Sequence, residues 1–287
     1  MKKKLHKFSP GMCVIYACLI LWAATTIYPI FWIIINAFKN KGEILSNSFA
    51  LPLGDLFTTA NFRTAFKRVN IFGAYRNSLI ISASVAAVVV LLAGMAAFAL
   101  VRYQFKLRGV LMSMIIAGMM FPVFSTIIPV LRMLQSWGIL NQRELWKSML
   151  ATILPQVAGN LSFAIVVLTG YIKSLPLELE EAAFLEGCNA YQIFIKVVVP
   201  LTKPSFATVA VFSFLWSYND LFTQMFTLRL QPHWAITRLL KELTAMEGTN
   251  YGLMAASVAL VVIPVIIVYI FLQKYIIKGM TAGALKG

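Results

Sequence analysis

The sequence predicts an all-α, polytopic membrane protein with six transmembrane helices, and three observations support that fold class. Hydrophobic residues make up 60% of the chain. Charged residues make up only 12%, against the roughly 25% that is typical of soluble domains. The few charges lie between long uncharged stretches, each able to cross a hydrocarbon core that needs about 20 residues of helix. Because backbone groups in lipid have no water to bond, these stretches must be helical.

The predicted spans follow one another along a single transmembrane domain that occupies residues 1–287. Their approximate bounds are 12–37, 77–101, 109–131, 148–172, 205–228 and 252–276. The basic segment before the first span resembles the start of a signal peptide. However, the apolar run is longer than a signal core of roughly 7–15 residues, and no small-residue cleavage site follows it. We therefore expect the first span to be retained.

Two longer connections, residues 38–76 and 229–250, each predict an amphipathic helix. In the first, apolar side chains recur at helical spacing after Asn61, which is placed as the N-cap. In the second, an apolar face stands opposite charged residues. The apolar positions are Phe62, Ala65, Phe66 and Val69 in the first helix and Ile236, Leu239, Leu240 and Leu243 in the second. We expect such helices to lie on the membrane or against a neighbouring subunit.

The connection at 173–204 is unusually long and shaped for a chain that is mostly membrane. Pro176 suits the first position of a helix, the glutamates that follow favour its positive end, and Gly187 is placed to stop it. Asn189 and Gln192 then resemble a capping box that opens a second helix. From these residues alone, a rigid knob that docks a partner and a solvated acidic loop are both open.

The order of residues in this connection resembles the EAA signature of ABC importer permeases. Glu181, Ala182 and Ala183 are followed by Gly187 and then by Val197, Val199 and Pro200. The two valines replace the usual isoleucine and leucine. Glu186 and Cys188 stand where the sugar branch often has aspartate and alanine. In that family this loop is the coupling helix, which sits in a cleft on the ATPase subunit. The resemblance therefore implies ATPase coupling for Glu181, Ala182, Ala183, Gly187 and Pro200.

Two further stretches, residues 216–220 and the tail 278–287, look like the maltose-type carbohydrate permeases of that family. The resemblance implies the type I importer permease fold, with the tail residues Thr281, Gly283 and Lys286 contacting the ATPase. It also implies a multi-pass position in the bacterial cell membrane with both termini cytoplasmic. Charge alone leaves the orientation open, because lysine and arginine are divided almost equally between the two sides, although the short basic turn at 102–108 favours termini inside.

The same resemblance implies a set of partners. These are a second homologous permease, a dimer of ATPase subunits that use ATP and Mg²⁺, an extracellular sugar-binding protein and a carbohydrate substrate. The chain has no GxxxxGK[ST] loop, no Ser–His–acid set and no HExxH motif, so we expect no enzymatic activity, no cofactor and no metal site of its own. The net charge of +15 comes from clusters beside the spans. Such clusters suit anionic lipid headgroups in the bilayer rather than nucleic acid.

Polar residues inside the predicted spans are candidates for the substrate pathway, because such residues are costly in lipid. Asp220 is the only acid within a predicted span. Aromatic faces and amides nearby would suit a sugar. The pathway candidates are Trp216, Tyr218, Asn219, Asp220 and Asn160, with Gln156, Ser213 and Gln224 as other cavity residues. The alternative is that Asn219 and Asp220 bind a neighbouring helix or fix a kink.

The leading hypothesis is a permease subunit of an ATP-driven sugar or oligosaccharide importer, forming half of the translocation pathway and coupled to a separate ATPase. The alternative is an ion-coupled secondary carrier for a small solute, acting alone. A carrier would want paired or clustered charges within the membrane. This chain offers only Asp220 there, which favours the importer.

Overall fold

A computed structural model describes residues 10–246 and 250–284 of the chain, and the elements in those residues are helical, with no strand among them. The α-helices are α1 (Pro10–Ala37), α2 (Lys41–Ser46), α3 (Ala60–Arg68), α4 (Ile71–Arg102), α5 (Arg108–Gly118), α6 (Val123–Ser136), α7 (Leu145–Lys173), α8 (Glu178–Leu185), α9 (Ala190–Ile193), α10 (Val199–Leu201), α11 (Lys203–Asn219), α12 (Leu221–Thr227), α13 (Ile236–Met246) and α14 (Tyr251–Ala284). A π-helical segment, Phe194–Val198, joins α9 to α10, and short 3-10 turns lie at Gly54–Leu56 and Gln231–His233.

Within the described residues, four helices are long and apolar enough to cross a membrane. They are Gly11–Ala37, Ile71–Arg102, Leu145–Lys173 and Tyr251–Phe271. Two bent pairs pass the same test: α5 with α6, at 103°, and Ala190–Leu201 with Lys203–Asn219, at 83°. If each bent pair is one span, the total is six, which is the number that the sequence predicts. The bounds differ at the fifth span, because the second pair runs from Ala190 to Asn219 and the predicted span covers 205–228.

The stretch predicted as one straight span at 109–131 is interrupted. Helix α5 ends at Gly118, and α6 begins at Val123 with Pro122 in an extended conformation before it. Proline disfavours helical geometry in the residue before it, which accounts for a break here. Because the whole stretch is hydrophobic, its composition does not predict this corner.

The helices are grouped in two compact units, residues 1–69 with 240–263 and residues 70–239 with 264–287. In the first unit, small buried residues form the packing core. They are Ala37, Ala255, Ala256 and Ala259, with Ile33, Phe38 and Phe62 packed against them. Small side chains let helices approach closely, which is the usual way that helices pack in lipid.

Asn61 holds the end of α1 in the first unit. Its Nδ2 donates to the carbonyl oxygens of Ala37 at 2.9 Å and of Lys39 at 2.8 Å. Carbonyls at a helix C-terminus lack partners within the helix. Helix α3 instead begins after Thr59. The N-cap prediction for Asn61 is therefore wrong, because its amide serves the end of another helix rather than the start of its own.

The second unit is built on α4, α7 and α11, which pack against one another. Ile81, Val85 and Val89 on α4 and Leu168 on α7 are fully buried. Gly94 makes room for α11, since a Cβ there would lie 2.6 Å from the ring of Phe206. The middle of α7 and the C-terminal end of α11 also line a pocket.

Candidate functional sites

The corner after α8 is a Schellman motif built around Gly187. The N–H of Cys188 donates to the carbonyl of Ala183 at 3.0 Å, and the N–H of Gly187 donates to the carbonyl of Phe184 at 2.9 Å. Gly187 has φ +86°, a left-handed conformation that glycine adopts without steric cost. The prediction that Gly187 ends this helix is confirmed.

The second half of the corner is also as predicted. Asn189 Oδ1 accepts from the N–H of Gln192, and Gln192 Oε1 accepts from the N–H of Asn189, both at 2.9 Å. This reciprocal capping box opens α9. The proposed first position of α8 is wrong, however. The helix begins at Glu178 after Leu177, whose carbonyl closes the first turn, so Pro176 precedes the helix instead of opening it.

The outer side of α8 presents both charge and apolar surface. Glu181 and Ala182 are exposed, Ala183 is half-buried, and Gly187 and Pro200 are exposed. Two large apolar side chains project as well, with Phe184 68% and Leu185 86% exposed. Exposed apolar side chains beside a charged face are suited to contact with another surface. The geometry therefore favours a docking knob over a merely solvated loop.

Glu180 differs from its neighbours because it is buried in an ion pair that sequence reasoning missed. Arg102, the last residue of α4, donates from Nε to Glu180 Oε1 at 2.7 Å. Its Nη2 also reaches the carbonyls of Ile172 at 3.1 Å and Leu175 at 3.2 Å, at the end of α7. The partners are 78 residues apart, so no local pattern could have joined them.

A second candidate site is a pocket of about 760 Å³ between α5–α6, α7 and the α11–α12 segment. Three of the predicted pathway residues line it: Asn160, Trp216 and Asp220. The rest of the wall is mostly apolar and aromatic, and it includes Phe121, Phe124 and Phe222, with Gln156 and Ser217 as polar members. Its lining contains no lysine, arginine or histidine.

Two predicted pathway residues lie outside that lining. Tyr218 is buried, with its ring stacked near Phe214. Asn219 is exposed and donates its amide to the carbonyl of Leu215 at 2.9 Å. The structure thus separates the Trp216–Asp220 stretch into two faces, of which only one opens on the pocket.

Asp220 marks a break in predicted span five. It lies between α11 and α12, and its Oδ1 accepts from the N–H of Thr223 at 3.0 Å as the N-cap of α12. Its Oδ2 accepts from Gln156 Nε2 at 3.0 Å, which ties the break to α7. The alternative role for Asp220, binding a neighbouring helix and fixing a kink, is confirmed. Its position on the pocket is compatible with substrate contact as well.

The break is reinforced by a chain of buried amide and hydroxyl groups. Ser217 Oγ donates to Gln156 Oε1 at 2.6 Å, and Gln224 Nε2 donates to the carbonyl of Ser217 at 3.0 Å. Gln224 Oε1 in turn accepts from Thr237 Oγ1. Polar groups that would be costly in lipid are therefore satisfied by one another. Of the three predicted cavity residues Gln156, Ser213 and Gln224, only Gln156 reaches the pocket lining.

Only part of the predicted ATPase-contacting tail lies within the described residues. Thr281 and Gly283 belong to the last turns of α14, which ends at Ala284. Lys286 lies outside the described residues. The roles assigned to these three positions stay predictions.

Known proteins resemble this chain over most of its length. The family model for the "binding-protein-dependent transport system inner membrane component" matches residues 89–282. The diacetylchitobiose uptake system permease protein NgcG of Streptomyces coelicolor is 33% identical over 94% of this chain and 88% of its own length. The melibiose/raffinose/stachyose import permease protein MelC of Bacillus subtilis is 28% identical over 90% of this chain and 91% of its own.

A solved structure shares the architecture. A chain in the crystal structure of a bacterial ABC transporter, involved in the import of the acidic polysaccharide alginate, superposes with a TM-score of 0.78. The match covers 94% of this chain and 99% of that chain, at 23% sequence identity. At this identity the likeness establishes the fold.

Proposed function

Because this chain belongs to the family of binding-protein-dependent transport system inner membrane components, we propose that it forms half of a carbohydrate pathway through the membrane. The chain is a multi-pass permease subunit of an ATP-driven importer and not an enzyme. Such a subunit works with a partner permease, an ATPase and a binding protein. Here we propose a second homologous permease, a dimer of ATPase subunits that use ATP and Mg²⁺, and an extracellular sugar-binding protein.

The carbohydrate cargo is supported by the relatives and by the chemistry of the pocket. NgcG and MelC, at 33% and 28% identity, carry names that refer to uptake of diacetylchitobiose and of melibiose, raffinose and stachyose. Sugars are bound by aromatic faces and by groups that exchange hydrogen bonds with hydroxyls. Trp216 supplies such a face, and Asp220 and Asn160 supply such groups. We assign substrate contact to these three residues.

The coupling role rests on one observation, the exposed corner of α8 and Gly187. We assign this corner to the cytoplasmic side of the bacterial cell membrane, together with both termini. There α8 would sit in a cleft of the ATPase, with Glu181, Ala182 and Ala183 on the contact surface. Pro200 would help to lead the chain back towards the membrane. The tail residues Thr281, Gly283 and Lys286 would reach the same ATPase.

ATP binding would draw the two ATPase subunits together and carry the coupling corners with them. The membrane halves would then switch between inward-facing and outward-facing states, a shift between two populations that the ATPase biases. The rival hypothesis, a solitary ion-coupled carrier, has no support from the family to which the chain belongs. It would also leave the shaped corner without a purpose.

The test of the coupling role is a charge reversal at Glu181. We expect Glu181→Lys to lower ATP-driven carbohydrate uptake by at least about tenfold. A lysine would reverse the charge that α8 presents to the ATPase, and bringing like charges together at an interface costs several kcal/mol. Uptake is measured in proteoliposomes that hold the full complex with its binding protein. The amount of this subunit in the membrane is measured in the same vesicles and should not change.

The matched control is Glu144→Lys. Glu144 is exposed and its carboxylate pairs at the surface with Lys147 at 3.4 Å, and pairs of that kind contribute little. Glu144 lies between α6 and α7, on the connection that the proposal puts on the opposite side of the membrane. Near wild-type uptake in Glu181→Lys, or an equal loss in Glu144→Lys, would contradict the coupling role of the corner.

A further inference from the structure

We propose that Arg102 is a positioning residue which, together with Glu180, forms a strut that makes α8, α4 and α7 move as one body. This inference rests on the proposed coupling role of α8. A docked helix can move the membrane spans only if it is held stiffly to them. The ion pair and its two carbonyl contacts supply that stiffness at the point where the three helices meet.

The contacts of Arg102 join three elements through one planar group. Its guanidinium binds the Glu180 carboxylate at 2.7 Å and the carbonyls of Ile172 and Leu175 at 3.1 and 3.2 Å. The carbonyls lie at the C-terminal end of α7, where the helix dipole favours a cation. The guanidinium is a rigid fork with five donors, so several acceptors can be held at fixed angles. A lysine ammonium would supply the charge without the fork.

The surroundings of the pair show why a polar strut is needed here. A pocket of about 530 Å³ lies beside the pair. Besides the pair itself, its lining consists of Phe98, Tyr103, Glu181, Phe184, Leu185, Ala190 and Ile193. Helix α8 packs on α9 and on the π-helical segment. The ion pair crosses this pocket from the end of α4 to α8.

Burial makes this bridge different from the other charges of α8. The side chains of Arg102 and Glu180 are only 13% and 8% exposed. The adjacent Glu181 and the earlier Glu178 are both exposed, so neither takes part in the bridge. Removing one member of a buried pair leaves the other charge without compensation. The joint should then loosen even though the corner at Gly187 keeps its own hydrogen bonds.

The test compares hydrolysis with transport in the full complex, reconstituted with its partner permease, ATPase and binding protein. We expect Glu180→Gln and Arg102→Gln to keep substantial ATP hydrolysis while carbohydrate uptake falls. The number of ATP molecules hydrolysed per sugar should rise by at least about tenfold in each. Arg102→Lys should lie between these variants and the wild type, because it keeps the charge and loses the fork. A merely structural role would lower hydrolysis and uptake together.

Two matched controls stay close to the site. Glu178→Gln removes an exposed charge from the same helix, and Lys106→Gln removes an exposed charge just beyond α4. Both should leave the ratio within about twofold of the wild type, as exposed charges contribute little. A wild-type ratio in Glu180→Gln, or a similar rise in the controls, would overturn the strut.

A second measurement follows the geometry of the joint directly. Spin labels are placed at the exposed positions Glu178 in α8 and Lys106 just beyond α4, with Cys13, Cys18 and Cys188 replaced by serine. The distance between the labels should stay the same in the nucleotide-free and ATP-bound complex, and it should change with nucleotide when Glu180→Gln is added. A change in the unsubstituted complex would overturn the strut. Loss of the proposed function would show separately, as absent sugar uptake by the wild-type complex.

Discussion

Gly187 is the residue on which the corner after α8 depends. An added Cβ would meet nothing within 4 Å, so the only obstacle to a side chain is the φ of +86°. A left-handed conformation costs roughly 1–2 kcal/mol for a residue other than glycine. We therefore expect Gly187→Ala to speed hydrogen exchange at the amides of residues 187 and 188 by at least about fivefold, through easier local opening.

The control for this change is Gly170→Ala. Gly170 lies within α7, with open space around its Cα and no positive φ. Alanine should there improve helix propensity and leave exchange at the corner unchanged. If Gly187→Ala also left that exchange unchanged, the left-handed conformation would not limit the stability of the corner.

The roles of Gly187 and of the Asn189–Gln192 capping box can be predicted from the sequence, because their hydrogen-bond partners lie within a few residues along the chain. The roles of Arg102 and Asn61 cannot be predicted in this way. Each binds carbonyls at the end of a helix distant in sequence, and only the folded arrangement of helices brings these groups together. Trp216, Asp220 and Asn160 were selected by polarity or aromaticity within a span, and that rule could not say which of the five candidates face the pocket.

Asp220 has a structural duty that can be separated from any contact with substrate. Asp220→Ala removes the cap of α12 and the acceptor for Gln156, and should lower the free energy of unfolding by about 1–2 kcal/mol. Asp220→Asn keeps an oxygen acceptor for the Thr223 N–H but sets an amide nitrogen against Gln156 Nε2, so it loses only the link to α7 and should lower the free energy of unfolding by less than Asp220→Ala. Unfolding of the purified protein in detergent measures both. Equal destabilisation by the two substitutions would show that the acceptor for Gln156, rather than the cap, holds the break.

At the scale of elements, α14 lies close to the end of α1 at Gly252. A Cβ there would lie 2.6 Å from the carbonyl oxygen of Lys39 and 2.7 Å from Asn61 Nδ2. Both groups belong to the joint that holds the end of α1. Backbone atoms cannot move aside cheaply, so we expect Gly252→Ala to lower the free energy of unfolding by about 1–3 kcal/mol.

Gly42→Ala is the appropriate comparison, since a Cβ added to Gly42 in α2 would have no atom within 4 Å. That change should be neutral or slightly stabilising. Denaturant unfolding in micelles would measure both variants. A neutral Gly252→Ala would mean that the joint between α14 and the end of α1 is looser than the distances indicate.

The same joint includes a buried lysine. Lys39 is only 1% exposed, and its Nζ donates to the carbonyls of Asn47 and Ser48 at 3.2 and 3.3 Å. Burial lowers the pKa of this ammonium group, and the nearby Glu43 carboxylate opposes the shift. Lys39 therefore holds the connection after α1 against the end of that helix. Composition alone would instead predict a solvated charge at this position.

Hydrophobicity predicts where the membrane-spanning segments lie, because lipid favours apolar side chains along the whole length of each segment. It does not predict where those helices are interrupted. The corner between α5 and α6 and the break at Asp220 depend on which groups satisfy the freed backbone. At Asp220 these are the carboxylate itself, which accepts from the N–H of Thr223, and the amide of Gln224, which donates to the carbonyl of Ser217. Breaks of this kind occur where protein or a cavity replaces the missing bonds, and both border the 760 Å³ pocket.

At the scale of the whole molecule, a permease subunit of an ATP-driven importer takes its energy from an ATPase partner. The route that we propose for that energy is mechanical, from the exposed corner through α8 to the membrane helices. No pair of charged residues lines the pocket, as an ion-coupled carrier would require; its lining includes Asp220 without a basic residue. The source of energy should therefore be separable by experiment from any ion gradient.

We expect the rate of uptake by the full complex in proteoliposomes to depend on ATP and to be independent of ion gradients. Collapsing proton and sodium gradients with ionophores should change the initial rate by less than about twofold, since no gradient shifts the two-state equilibrium of the spans. Replacing ATP by a non-hydrolysable analogue should stop multiple turnover, because one binding event can bias the spans only once. Leaving out the binding protein should also remove most uptake. Uptake that survived without ATP and vanished with an ionophore would instead place this chain among the secondary carriers and deprive the α8 corner of its partner.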